Sequence, residues 1–229
     1  MKSLLWKDYR INRLLLIFGF VVCVGPWVIA IARHIQLNMR GEGVWWGPEP
    51  WVTTASISLG LSLFTLAMLG GNAIAAERAD RAAEFLAYLP VSRWSILAGK
   101  SLIALAPAAA IWMLNLAFLF WVAPRLAEGV SAADMILRPE VRETFDVFGV
   151  TSVLLFGAGW FWSAVLTSHG LATGMSFVTL ATVATGFMGL EFGLGLENIT
   201  QEWFVSVCTA VGISGYVVGC AYYLWRMEP

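Results

Sequence analysis

The chain has 229 residues, 59% of them hydrophobic and only 13% charged, with a formal net charge of −1 and a mean hydropathy of +0.75. An ordinary soluble domain, in which about a quarter of residues carry charge, is excluded, and so is a nucleic-acid partner, which asks for a clustered basic surface. What remains is an all-α polytopic membrane protein. Its three cysteines, Cys23, Cys208 and Cys220, lie inside apolar runs without metal-ligand spacing and read as small buried hydrophobes.

In chain order, residues 1–13 carry Lys2, Lys7, Arg10 and Arg13 against one acid, Asp8, with Leu5, Trp6 and Tyr9 loosely on one side. Two readings stand: a basic interfacial helix on an anionic membrane surface, or the flank of the first span. The first apolar run starts at Leu14 and lacks a small-residue cleavage site, so it reads as a retained span rather than a signal peptide. Six runs long enough to cross about 30 Å of hydrocarbon, roughly 17–25 residues each, fall at 14–32, 52–76, 101–122, 147–168, 170–190 and 203–225. The whole chain, 1–229, then forms a single transmembrane domain.

With an even number of spans both termini share one side, together with the connection 77–100. Of fourteen basic residues, nine fall on that side: Lys2, Lys7, Arg10, Arg13, Arg78, Arg81, Arg93, Lys100 and Arg226. The positive-inside rule makes it the cytoplasmic side. Trp6, Trp94 and Trp225 are expected at the inner interface, and Trp45, Trp46, Trp51, Trp121 and Trp203 at the outer one. On the outer side 33–51 and 123–146 are polar connections, the second with a short helix opened by Ser131 and closed before Pro139. Residues 186–202 mix glycine, apolar residues and three glutamates; a re-entrant element and an interfacial loop both fit them.

The segment Glu77–Lys100 is the longest charged stretch. On a helix, Ala82, Phe85, Leu86 and Leu89 fall at i, i+3, i+4 and i+7 as one apolar stripe, with Glu77, Arg78, Asp80, Arg81 and Glu84 on the other faces. Pro90 stops this helix, and Ser92 is placed to cap a new one from Arg93. A short two-faced helix held between two spans has the form of a docking element.

Chemistry within the spans is sparse. No Asp, Glu, Lys or Arg lies at the centre of any span, which disfavours an ion-coupled carrier. Asn72 and Asn115 read as interhelical hydrogen-bonding residues, and Gly212, Gly215 and Gly219 form a small-residue packing face on the last span. Ser214, between Ile213 and Gly215, superficially resembles the serine of an intramembrane protease, but no histidine follows it. There is no HExxH or comparable ligand cluster, and Trp94 stands where a P-loop would need its first glycine before Gly99–Lys100. No metal site, no cofactor and no enzymatic activity of its own are expected.

The inner segment has the pattern ER-x-x-x-x-x-EFL-x-x-LP-x-SR followed by a Gly-Lys, carried by Glu77, Arg78, Glu84, Phe85, Leu86, Leu89, Pro90, Ser92, Arg93, Gly99 and Lys100. Between the second and third of six spans, it resembles the permease subunit of ABC transporters of the ABC-2 exporter type. The resemblance implies that this loop is a coupling helix docking on a separate ATP-binding subunit, with Phe85 and Leu89 as buried anchors and Glu77, Arg81, Glu84, Leu86, Pro90 and Arg93 completing the contact. It also implies that ATP and Mg belong to that partner, that a second permease subunit, identical or different, completes the transporter, and that the chain sits in a bacterial cytoplasmic membrane with both termini cytoplasmic. The long connection 123–146 departs from the family pattern. A non-transporting membrane scaffold that recruits a cytosolic partner through the same helix is the alternative reading.

Overall fold

A chain in hydrocarbon has no water to satisfy its backbone, so each spanning segment has to close its own hydrogen bonds as a helix. The computed structural model describes residues 2–41, 48–76, 92–126, 131, 133, 135, 137–194 and 201–226. Six long helices make up nearly all of them: α1 (Lys2–Met39), α2 (Glu49–Asn72), α3 (Arg93–Leu126), α4 (Pro139–Val165), α5 (His169–Leu194) and α6 (Gln201–Arg226). All six contain a stretch long and apolar enough to cross a membrane. The fold is all-α and that of an integral membrane protein.

The helices outrun the apolar segments because capping chemistry, not hydropathy, sets their ends. Ser92 is extended at φ −66° and ψ 142°, and its side chain accepts from the Ser95 N–H, so α3 starts at Arg93 rather than near residue 101. Pro139 and Glu140 open α4 ahead of the apolar run that begins at Val147. Gly41 closes α1 with a left-handed φ of 67°. Beyond α3, the Met135 and Leu137 N–H groups donate to Ser131 and Ala133, a helical turn that ends before Pro139.

Residues 2–13 are not a separate interfacial helix. They are the first turns of α1, which runs unbroken to Met39. No glycine or proline interrupts residues 2–18, and Asn12 finds a partner on α2. Pro26 lies within α1 and supplies no N–H to the preceding turn; close by, the Ser58 hydroxyl of α2 donates to the Cys23 carbonyl at 2.6 Å. In α3 the winding loosens to a π-turn over Phe118–Val122, which swings Leu119 fully inward, while Phe118 lies stacked on Trp27.

Asn12 bonds Asn72, and Arg93 bonds the Leu224 carbonyl. The start of α1, the end of α2, the start of α3 and the end of α6 therefore meet at one end of the bundle, called proximal below. The distal end is closed by Trp27, Trp51, Leu119, Met135 and Val141.

Helix α4 occupies the centre: 67% of its span is buried, against 44% for α2, 22% for α1 and α3, 17% for α6 and 11% for α5. It packs on α6, α2 and α5, and it does so at backbone contact. A Cβ on Gly157 of α4 would overlap the Gly212 carbonyl of α6, and one on Gly212 would lie 2.5 Å from the Val153 carbonyl. On the opposite side a Cβ on Gly159 would lie 2.9 Å from the Gly71 nitrogen of α2. Trp160 fills the remaining space, fully buried, with its ring 4.9 Å from that of Tyr216.

Substituting Gly212 by leucine is expected to cost at least about 3 kcal/mol, the upper end for overpacking, because the obstacle is backbone. The Gly174→Leu change, where the added Cβ meets nothing within 4 Å, is expected to stay within about 0.5 kcal/mol. Thermal unfolding of both variants in detergent micelles checks the contrast.

Candidate functional site

The proximal end carries a polar clasp built from four helices. Asn72, in the last turn of α2, donates its amide to Asn12 Oδ1 at 2.6 Å, and Asn12 donates in turn to the Asp8 carbonyl at 2.9 Å. Across the cleft Lys100 of α3 is buried, 4% exposed, and its Nζ donates to the Ala73 carbonyl at 3.1 Å. That carbonyl belongs to the residue that closes α2, so the ammonium sits on the negative end of a helix dipole. The cleft is lined by Asp8, Asn12, Asn72, Ala76, Lys100 and apolar neighbours.

Two further bonds tie α3 to α6. Arg93 folds back so that its guanidinium donates to the Leu224 carbonyl at 3.2 Å, again at a helix C-terminus. About two helical turns further in, the Tyr216 hydroxyl bonds Ser101 Oγ at 2.8 Å. The residues on either side of the connection 77–91 are thus anchored: Ala73 by Lys100, and Arg93 by α6.

A second polar group lies at mid-depth and is closed on itself. Asn115 of α3, fully buried, accepts from Trp27 Nε1 at 3.0 Å and donates to the Ile111 carbonyl at 3.0 Å and to Cys23 Sγ at 3.3 Å. Asn72 and Asn115 therefore serve as hydrogen-bonding residues between helices.

Among the candidates from sequence, Gly212, Gly215 and Gly219 lie in the α4–α6 seam. A Cβ on Gly215 would come within 2.9 Å of the Gly157 carbonyl, and one on Gly219 within 2.8 Å of the Trp160 ring. Arg93 joins the clasp. Glu77, Arg81, Glu84, Phe85, Leu86, Leu89 and Pro90 lie outside the described residues, as do 195–200 in the segment before the last span. Ser214 is exposed on α6 and donates to the Val211 carbonyl of its own helix at 3.0 Å. The groove beside it, lined by Ala158, Phe161, Trp162, Thr179 and Val218, contains no histidine. His34 pairs with Asn38 near the distal end, and His169 opens α5.

From sequence, Lys100 reads as a topology charge and as the end of the Gly-Lys motif, and Asp8 as the one acid in a basic flank, and neither is assigned to the cleft. The signal that marks Lys100 is its phase: Leu97, Lys100, Ala104 and Ile111 share the buried stripe of α3, and a lysine on that stripe has to be partnered. No family model matches the chain, and no curated protein or solved structure is significantly similar to it.

Replacing Lys100 by methionine keeps the bulk and removes the bond to Ala73. The end of α2 is then expected to fray, so that a cysteine placed at Ala76 reacts several-fold faster with a water-soluble maleimide than in the Lys100 protein. Equal labelling rates would mean that the bond does not hold this end.

Proposed function

We propose that the chain is the membrane-spanning subunit of an ATP-driven transporter of the ABC-2 exporter kind, energised by a separate ATP-binding subunit that seats on residues 77–93. The observation that carries the reading is the clasp. A push on a connecting segment moves a bundle only where its two ends are held, and here Ala73 is held by Lys100 and Arg93 by Leu224. Displacement of that segment would be passed to α1, α2, α3 and α6 together. The apolar stripe of Phe85, Leu86 and Leu89 and the motif running through Pro90 and Arg93 supply the chemistry of the contact, with Glu77, Arg81 and Glu84 at its rim. Anchors of this kind carry most of the energy of an interface, and exposed ion pairs carry little.

On this reading ATP and Mg are bound by the partner, and its nucleotide-driven closure biases the bundle between two states through the differential contact it makes with the segment. A second permease subunit completes the translocation path. The proximal end faces the cytoplasm of a bacterial cell, in keeping with the excess of basic residues there.

Purification from native membranes tests the proposal. The chain is expected to carry an ATPase with it, and the double change Phe85→Asp and Leu89→Asp is expected to release that ATPase while the bundle keeps its melting temperature. Recovery without any nucleotide-binding partner, or a partner still bound and fully active beside the double variant, would overturn it.

A further inference from the structure

Helices α1 and α5 both pack on α2, and between them lies a crevice of about 530 Å³ with one open side. Its walls are graded along the helix axes. The body is apolar, made by Leu14, Leu15 and Phe18 of α1 and Met68 of α2, whereas the proximal mouth sets Asn72, His169 and Thr173 beside Ile11 and Ala76. The floor is firm: a Cβ on Gly71 would run into Thr173, and the rings of Phe64 and Phe177 lie 5.2 Å apart deeper in.

One fixed cation, Arg10, stands beside the mouth. Arg10 is exposed and precedes Leu14 by one turn on the same face of α1. His169 is exposed at the first position of α5, whose first turn contains no acid. Ser168 caps that helix by accepting from the Leu171 N–H at 3.4 Å. The positive end of the α5 dipole therefore points toward the mouth. The nearest polar side chain inside, Asn72, already donates to Asn12.

We propose that this crevice binds one anionic phospholipid, an acyl chain lying against Leu14, Leu15, Phe18 and Met68 and the phosphate held between Arg10 and His169. A fixed cation and a histidine at the mouth and an apolar body beyond it match a lipid end to end. An apolar spanning helix of a second copy would leave Arg10 without the counter-charge that a phosphate supplies. At about 530 Å³ the crevice lies within the range typical of sites for single small molecules, a few hundred to about 1000 Å³. Basic groups between spanning helices are the usual way in which a headgroup is selected. The site is separate from the residues assigned to ATPase docking and does not rest on that assignment.

Native mass spectrometry of the purified, delipidated chain, titrated with phosphatidylglycerol and in parallel with phosphatidylcholine, tests the proposal. One tightly held phosphatidylglycerol per chain is expected, preferred over phosphatidylcholine. Arg10→Gln should weaken it about fivefold, and His169→Gln should weaken it further. Leu15→Trp fills the body of the crevice and should abolish binding, whereas Val217→Trp, on an exposed face of α6, should leave it intact. Should Leu15→Trp lower the melting temperature, the Arg10→Gln titration decides. Equal retention of the two lipids, or Arg10→Gln and Leu15→Trp both without effect, would overturn the proposal. So would a disulfide forming between copies that carry Leu14→Cys, since a second protein would then occupy the crevice.

Discussion

The bundle depends on how closely the backbone of α4 approaches α6 and α2. Lipid tails are as apolar as leucine, so burying one apolar helix against another gains nothing from the hydrophobic effect, and dispersion at short range has to hold the helices together. Dispersion falls off steeply with separation, which makes the smallest residues the strongest contacts. Gly157 against Gly212, Gly215 against Gly157 and Gly159 against Gly71 bring main chains together where any side chain would hold them apart. Around these contacts the large side chains, Trp160 above all, fill what the glycines leave open.

The polar bonds play a different part. A hydrogen bond between helices in a membrane is worth about 0.6 kcal/mol on average, so the clasp and the Asn115 group together sum to only a few kcal/mol. They do not outweigh the glycine seams, but they are directional, and an unpaired amide or ammonium at these positions would cost more than the bond returns. Their effect is to fix register: Asn115 sets α3 against α1 at mid-depth, and Lys100 sets it against α2 at the proximal end. With two fixed points, α3 cannot slide or rotate alone.

The number of spanning helices was legible because composition leaves no other way to satisfy the backbone. The cap at Ser92 was legible too, since a serine after a proline and before a helix-forming run has one obvious use. Which helix would be central was not. Helix α4 shares the lowest hydropathy of the six spans, 1.5, yet is the most buried, while α1, at 2.7, is mostly exposed. Hydropathy does not rank burial here, since α5 has the same value and is the least buried helix; the interior face of α4 is made of small residues, Gly157, Ala158, Gly159, Ser163 and Ala164. Their number does not single out α4, since α2 and α5 carry more of them; what does is that Gly157 and Gly159 meet glycines of two different helices, a pairing only the fold shows. The unbroken α1 was hidden by the charges of residues 1–13, which mark where a membrane surface falls but carry no information about whether a helix bends there.

The clasp also divides the bundle. Polar bonds join α1, α2, α3 and α6 near the proximal end, whereas α5 meets α2 mainly through van der Waals contact, at Gly71 with Thr173 and at Phe64 with Phe177. Toward α4 it has one side-chain bond, from Trp162 Nε1 to Thr179. A force entering between Ala73 and Arg93 would act on the bonded group first, and α5 would follow only as far as α2 and α4 carry it. Between these two differently held parts lies the α1–α5 crevice. A lipid seated there would bear on the relative position of α1 and α5, and its headgroup would sense any tilt of α1 through Arg10.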